Sequence, residues 1–410
     1  MSKTPPSQTP VPKITAVRTL RLAERPKLLW LEVETDDGRT GLGETFRGAE
    51  AAEAALHELI APGLIGRDAR RIATIANDIQ NPYVGYHSAG AEVRAASALD
   101  IALWDLAGQR QGVPIHEALG GAARDVIPVY NTCAGYDFNT RQGDRRRIGE
   151  DDAVVGPYDD QVAFTRDAGA LAQSLLSEGY KAMKIWPFDQ FAHAPAHNHL
   201  SGAQIREGLR AFEQVRAAVG HRIDIMCELH SLFDATTALA ICQALEPFDV
   251  RWVEDPISKM DDARALADLR RRSRVPICAS ETLSGPVAYR DLLAADAVDY
   301  VMLDLVWCGG FTGARKISAL AEAYARPMAP HDCTGPIALW AGIHFALHAT
   351  TAVYQEVVRA SLATWYGDIV DHLPAIVEGC IGLPTGAGLG VRLKDSFRSR
   401  ADLTVRETRS

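Results

Sequence analysis

Apolar and polar residues alternate along "KITAVRTLRL" and along "LLWLEVETDDGRTGLGETF", a pattern that predicts β-strands. Asp36-Asp37-Gly38 inside the second stretch predicts a hairpin turn. Apolar positions then recur with a helical period over 48–61, over 68–80 and through "AEVRAASALDIALWDLAGQRQG". In the last of these Leu99, Leu103 and Leu106 share one face, and Gly112 before Pro114 marks the end. From Val126 the pattern changes to short continuous apolar runs at 126–132, 181–186, 223–228, 250–254, 276–280, 299–304, 326–330 and 353–357. Helical periods separate them at 161–178, 202–219, 235–247, 260–273, 286–296, 312–325 and 336–350. Continuous apolar runs suit parallel strands covered on both faces, and eight of them with intervening helices predict an α/β barrel. A doubly wound open sheet fits the same alternation, but would not bring eight strand ends around one centre.

The patterning divides the chain into a disordered tail at 1–12, an α+β unit at 13–124 closed by "ALGG", a barrel at 125–357 and a C-terminal segment at 358–410. The last, with Trp365 and "GLPTGAGLGV", is expected to pack back on the first unit. Two connections, 134–160 and 187–201, are too polar for core and read as lids or oligomer contacts.

Most of the barrel runs end in a residue too polar to bury alone: Lys184, Glu228 with His230, Glu254, Glu281, Asp304, His331 and Glu356. The gaps from Glu228 to Glu254 and from Glu254 to Glu281 are 26 and 27 residues, the length of a strand plus a returning helix. Three carboxylates at consecutive strand ends repel one another, and burial raises the cost. A hard divalent cation with all-oxygen ligands resolves this, and open positions favour Mg²⁺, one per site. Singly, each is as well read as a salt-bridged strand end. Asp304 beside His331 would fix the imidazole tautomer and raise its basicity, which suits a general base. Lys184 can bind a substrate carboxylate, stabilise developing charge or counter the glutamates. His230 follows Glu228 by two residues, so it shares that face and could act as a general acid. Glu356 orients substrate or a histidine, or is structural. His193, His197 and His199 lie in a Pro-broken loop, which argues against a metal role. Cys333 beside His331 has no separate base and reads as packing.

Bulk composition narrows the rest. With 410 residues, 47% hydrophobic content and a formal charge of −9, the chain is an ordinary globular one and no general nucleic-acid binder. Seven scattered cysteines without a CxxC pair suggest a reducing cytoplasm. "MSKTPPSQTPVP" has no apolar core of a secretory signal, and no run has the length of a membrane span.

The motifs "ALDIALWDLAGQRQGVPIHEALGG", "GYKAMKIW", "ELH", "EDP", "SE", "LDLVWCGGFT", "PHD" and "GLGV", in this order, resemble the enolase superfamily. The match is to its mandelate racemase/muconate lactonizing enzyme-like members, and among them to acid-sugar dehydratases of the galactonate and mannonate type. It covers the chain from Lys13 to about Leu393. The resemblance implies an N-terminal α+β capping domain on a modified TIM barrel, (β/α)7β. It implies Mg²⁺ on Glu228, Glu254 and Glu281, proton abstraction α to a carboxylate by His331 of an Asp304–His331 dyad, and an enediolate stabilised by the metal. It also implies a role in carbohydrate acid catabolism and assembly into a homo-oligomer.

One departure is informative. Racemases of this type carry Lys-x-Lys where this chain has Lys184-Ile185-Trp186, so the second base is missing. Glu228-Leu229-His230 resembles the carboxylate-x-His of the dehydratases, where the histidine protonates a departing β-hydroxyl. The expected activity is therefore that of a hydro-lyase acting on an aldonate or aldarate and giving a 2-keto-3-deoxy acid. The alternative is a cycloisomerase of an anhydro-sugar acid or sugar lactone. A racemase or epimerase is disfavoured by Trp186, and an inert binding barrel by the full set of polar strand ends. Substrate contacts are expected from Arg25, Arg47, Tyr83, His87, Trp186 and Trp365.

Overall fold

In the computed structural model, which describes residues 11–80, 89–140, 156, 158–192 and 199–410, the alternating stretch forms three antiparallel strands. These are β1 (Ile14–Leu22), β2 (Leu28–Thr35) and β3 (Thr40–Phe46), with Gly38 in the left-handed region at the predicted hairpin. Both faces of β2 are covered, as its side-chain period of two requires. Leu29, Leu31 and Val33 pack with Leu99, Leu103 and Leu106 of the long helix, whereas Leu28 and Trp30 join the core of the barrel. That helix, α3 (Ala91–Gln111), ends at Gly112 in the left-handed conformation, and the short α4 (Ile115–Ala118) follows it. It lies so close on β3 that a Cβ at Gly43 would sit 2.0 Å from the Ala98 carbonyl oxygen. The two shorter helices differ from expectation. α1 (Ala49–Ala54) continues as wider and then tighter turns to Gly63, and α2 (Ile72–Gln80) starts late because Asp68 bonds back to the Arg70 N–H in a turn.

The second half closes into a ring. Strands β4 (Val126–Thr132), β5 (Ala182–Ile185), β6 (Asp224–Glu228), β7 (Val253–Glu254), β8 (Ile277–Ala279) and β9 (Tyr300–Val301) pair in parallel in that order. Met328 bridges Val301 and Ala352, and β10 (Gln355–Val357) pairs with β4 to shut the barrel. The predicted helices appear as α5 (Asp160–Ser177), α6 (Gly202–Val219), α7 (Ala235–Leu245), α8 (Ala263–Arg272), α9 (Gly285–Ala294), α10 (Gly310–Ala323) and α11 (Pro336–His348). This is the (β/α)7β barrel with its N-terminal α+β cap. Several strands are shorter than their apolar runs, and 326–330 is reduced to the isolated bridges of Met328 to Val301 and Ala352. Barrel strands tilt and stagger, so the extended segments keep isolated bonds, such as His331 N–H to Leu303 O at 2.9 Å, after the regular ladder ends.

The C-terminal segment supplies structure that sequence patterning missed. A hairpin of β11 (Ile376–Val377) and β12 (Cys380–Gly382) adds antiparallel to β4, and β13 (Leu403–Arg409) pairs with β1 on the cap sheet. The predicted tail at 1–12 lies outside the described residues up to position 10, as do 141–155 of the first long connection and 193–198 of the second. Among the described residues no helix is long and apolar enough to cross a membrane.

Three buried carboxylates of the cap fasten it to its surroundings. Glu44 accepts the Ala338 N–H at 2.7 Å, Asp100 the Thr312 N–H at 2.9 Å, and Asp105 the N–H groups of Leu42 and Leu389 at 2.9 and 2.8 Å. Burial outweighs these bonds and pushes Glu44 up to about 8, and Asp100 and Asp105 up to about 7. A carboxyl raised in this way stays protonated in the native state after the unfolded chain has ionised. Its contribution to stability is therefore full below about pH 4.5 for Glu44 and is lost as pH rises to about 8. Glu44→Gln removes that loss. Between about pH 5 and pH 9 the unfolding free energy of the variant should fall less than that of wild type, by a margin on the order of 2–4 kcal/mol, seen as a smaller drop in melting temperature. Parallel curves for the two proteins would contradict this account of Glu44.

Candidate active site

Parallel pairing aligns the polar residues at one end of the barrel. Glu228 and Glu254 are direct cross-strand neighbours at the ends of β6 and β7, and Glu281 lies just past β8. One carboxylate oxygen from each of the three lies within 4.8 Å of the others, and all three residues are buried. Each is oriented from outside the cluster. The N–H groups of Leu229 and His230 donate to Glu228 Oε1 at 3.0 and 2.6 Å, and Trp252 Nε1 donates to Glu254 Oε2 at 2.9 Å. Glu228 Oε2 receives no directed hydrogen bond and lies 3.3 Å from the Lys184 ammonium.

Lys184 at the end of β5 is buried among acids. It hydrogen-bonds Glu254 and stands 3.0 Å from Glu356 Oε1. Burial opposes its charge, but Glu254 and Glu356 hold the ammonium well above its ordinary value. One cation still does not balance the cluster. Burial, followed by the charge of Glu228, pushes Glu254 far above the carboxylate range against the pull of Lys184. Three oriented carboxylates with a bare buried oxygen and an unbalanced charge are what a hard divalent cation requires, so the donor set fits Mg²⁺.

On one flank stands His331. Its Nδ1 is 2.8 Å from Asp304 Oδ2, while Asp304 Oδ1 accepts the Val306 N–H at 2.7 Å. The other ring nitrogen, Nε2, faces the cluster, 2.9 Å from Glu281 Oε2. Burial works against a charge on this ring, but the uncompensated Glu281 carboxylate raises His331 well above its ordinary value, a pull that a cation held by Glu281 would offset. Glu356 accepts the Asp332 N–H at 2.9 Å and so fixes the loop that carries His331, besides meeting Lys184.

On the other flank stands His230, turned by a left-handed backbone (φ 47°). Its Nδ1 is 2.6 Å from Asp189 Oδ2, and its ring meets Trp186 edge-on at 5.5 Å. Burial opposes its charge, yet Asp189 and Glu228 push it up to about 9. Trp186 is buried between His230 and Phe164, so it walls this flank.

The remaining expected contacts are more scattered. The Arg25 guanidinium stacks on Trp365 at 3.9 Å, and Arg47 is exposed with its guanidinium 5.8 Å from the Trp307 ring. Tyr83 and His87 lie outside the described residues, as do His193 and His197. His199 is exposed and bonds Asp234 and Thr237, and among the described residues the three glutamates are the only group arranged for a metal ion. Cys333 is buried and reduced, like the other cysteines apart from the half-buried Cys380.

Two groups here escaped sequence reasoning. Asp189 sits in "PFDQF", inside a connection read as a polar loop, and a carboxylate in a loop carries no periodic signal. Asp255, next to Glu254, is buried and accepts the Ser280 hydroxyl at 2.8 Å. "EDP" and "ASE" contain both residues, and adjacency to the predicted ligands was the available clue.

The chain is similar to known proteins over nearly its whole length. Residues 167–397 match the family described as enolase C-terminal domain-like, and residues 3–120 match the mandelate racemase/muconate lactonizing enzyme N-terminal domain. A D-galactonate dehydratase of Xanthomonas oryzae pv. oryzae is 32% identical over 403 residues, spanning 95% of this chain and 94% of that protein. A D-galactonate dehydratase of Ralstonia nicotianae is 31% identical over 412 residues, spanning 95% of each. Among solved structures, an enolase protein from the Sargasso Sea environmental genome is 56% identical with a TM-score of 0.86, covering 97% of this chain and 99% of that one. An enolase of the mandelate racemase subgroup from Agrobacterium tumefaciens is 43% identical with a TM-score of 0.85 over the same shares.

Binding of a cation to the native state alone raises stability by about 2.7 kcal/mol at a hundredfold excess over its Kd. Saturating Mg²⁺ should therefore raise the melting temperature by a few degrees. Glu228→Gln/Glu254→Gln should abolish the rise while the far-ultraviolet dichroism stays native. A variant that keeps the full shift would place the ion elsewhere.

Proposed function

The chain belongs to the mandelate racemase/muconate lactonizing enzyme family of the enolase superfamily, and on that premise we propose that it is an acid-sugar dehydratase. The observation that carries this reading is the pair of carboxylate-bound histidines, His331 with Asp304 and His230 with Asp189, on opposite flanks of the glutamate cluster. The D-galactonate dehydratase relatives support the same class.

The reaction is the loss of water from a sugar acid. Glu228, Glu254 and Glu281 would hold one Mg²⁺, which when bound stabilises negative charge on the substrate carboxylate and so acidifies the neighbouring C–H. His331 takes the proton from the carbon α to that carboxylate through Nε2, the nitrogen not engaged by Asp304. Asp304 keeps the Nδ1 proton in place and favours the imidazolium that forms. Lys184 sets its positive charge against the carboxylate end of the site, where charge develops. His230 donates the proton on Nε2 to the β-hydroxyl as the C–O bond breaks, and Asp189 holds Nδ1–H and the ring's orientation. The products are water and an enol that tautomerises to a 2-keto-3-deoxy acid. Trp186 occupies the position where a second lysine would serve as a base, so this flank presents a proton donor.

Incubation with Mg²⁺ and a library of aldonates and aldarates, read by mass spectrometry, should show loss of water from at least one member. Unchanged mass with an altered chromatographic position would indicate cycloisomerisation instead. The two histidines separate by isotope exchange. His331→Asn should abolish both dehydration and deuterium uptake at Cα from D₂O, by about 10²–10⁴-fold or more. His230→Asn should slow dehydration by about 10²-fold or more while exchange at Cα continues, and Asp189→Asn should follow it with a smaller effect. Exchange lost equally in both histidine variants would remove the division of labour.

A further inference from the structure

The cap presents three arginines to the mouth of the barrel, and among the described residues none of them has a counter-ion. Arg25 follows β1, Arg47 follows β3 and Arg94 lies in the first turn of α3. Among the described residues none of the three guanidinium groups makes a hydrogen bond or ion pair, whereas Arg18 and Arg21 of the cap pair with glutamates and Arg39, Arg67 and Arg70 with aspartates. Each rests on aromatic rings instead. Arg94 is 4.8 Å and Arg47 5.8 Å from the Trp307 ring, and Arg25 is 3.9 Å from that of Trp365.

These rings belong to the active-site mouth. Trp307 follows β9 and Asp304, its centroid is 5.7 Å from that of the His331 ring, and its Nε1–H donates to the Phe46 carbonyl of the cap. Trp365 packs edge-on against Tyr366, which is buried and close enough to Asp332 and Cys333 to feel their charge. Arg47 and Arg94 in turn feel Glu281 and Asp304 respectively, so both stand within electrostatic reach of the reacting centre.

An unpaired guanidinium in such a place is costly. Arg25 is 6% exposed and its Nη1 has no partner, and burial lowers its affinity for the proton. Burial does the same to Arg94, and Arg47 repels it across Trp307; Asp304 attracts it, but that carboxylate is committed to His331, and Glu92 does not reach ion-pair distance. The glutamate cluster reads as a cation site because like charges converge without compensation. Arg47 and Arg94 meet at one ring, Trp307, and Arg25 lies in the turn before β2 whose Lys27 carbonyl accepts the Arg47 N–H at 2.9 Å. By the same logic these arginines offer an anion site, and stacking on aromatic faces leaves their planar donor edges free for a carboxylate or phosphate.

We propose that Arg25, Arg47 and Arg94 receive a second anionic group at the far end of the substrate. The substrate is then a dianionic sugar acid and not a simple aldonate. This rests on the dehydratase reading, in which the first carboxylate sits at the glutamate cluster. The matching chemistry is an aldarate, with a carboxylate at each end; an aldonate phosphorylated on its terminal hydroxyl offers the same charge.

The test compares kcat/KM for aldarates, aldonates and terminally phosphorylated aldonates of matched stereochemistry, with Mg²⁺ present. The aldarate is expected to exceed its matched aldonate by a hundredfold or more. A phosphorylated aldonate in first place would support the anion site and identify phosphate as its ligand. Preference for an unphosphorylated aldonate would overturn the proposal and leave the dehydratase reading standing, whereas turnover of none would count against that reading itself. Arg25→Met and Arg94→Met, checked for native melting, should raise KM for the dianion tenfold or more with kcat changed less than threefold. They should also leave KM for the aldonate nearly unaltered. An equal loss on both substrates would show that the arginines only support the fold.

Discussion

Three carboxylates held together out of water are the constraint around which this molecule is built. Left alone they would repel, protonate or move apart. The barrel prevents the last of these by anchoring each one differently. Backbone N–H groups of the following loop fix Glu228, the indole of Trp252 fixes Glu254 from within the barrel, and the His331 ring faces Glu281. Lys184 supplies one positive charge at the centre and shares it among Glu228, Glu254 and Glu356. The remaining negative charge is the cluster's capacity for a divalent ion.

The flanks follow from the same geometry. Neighbouring strands deliver neighbouring side chains, so the order of residues along the chain becomes an order around a ring. Asp304 and His331 come from successive positions and meet because their strands do. Asp189 and His230 meet differently, since Asp189 lies on the loop after β5 and His230 on the loop after β6. Both pairs leave one imidazole nitrogen directed away from its carboxylate, and in the proposed reaction one removes a proton from carbon while the other gives one to oxygen.

Much of this was legible in the sequence, and the reason is periodicity. A residue at the end of an apolar run has its position fixed by the run, which is why the glutamates, Lys184, Asp304, His331 and Glu356 could be assigned to one rim. The alternation of β1 to β3 and the face of α3 were legible for the same reason. What escaped has no local signature. Asp189 gains its meaning from a partner 41 residues away. Glu44 sits within an alternating strand and shows nothing of the helix α11 that it caps across the domain seam. Strand β13 is too polar to announce itself, because it lies at the edge of the cap sheet and half faces water. Arg94 reads as an ordinary surface residue of a helix until Trp307, more than two hundred positions later, is found beneath it.

The distribution of charge also explains why a cap is needed at all. A barrel rim that concentrates negative charge around a metal site would bind a cation well and an anionic substrate poorly. The cap brings the opposite sign to the same mouth. Its arginines face the rim from three separate segments, while its own acids, Glu44, Asp100 and Asp105, are withdrawn into the interior. There burial pushes them towards the neutral form and backbone N–H groups occupy them. These three acids therefore add little negative field beside the arginines. In the proposed reaction one domain would supply the reacting groups and the other the arginines that meet the substrate's second anion, and Glu44 and Trp307 pin the seam between the two.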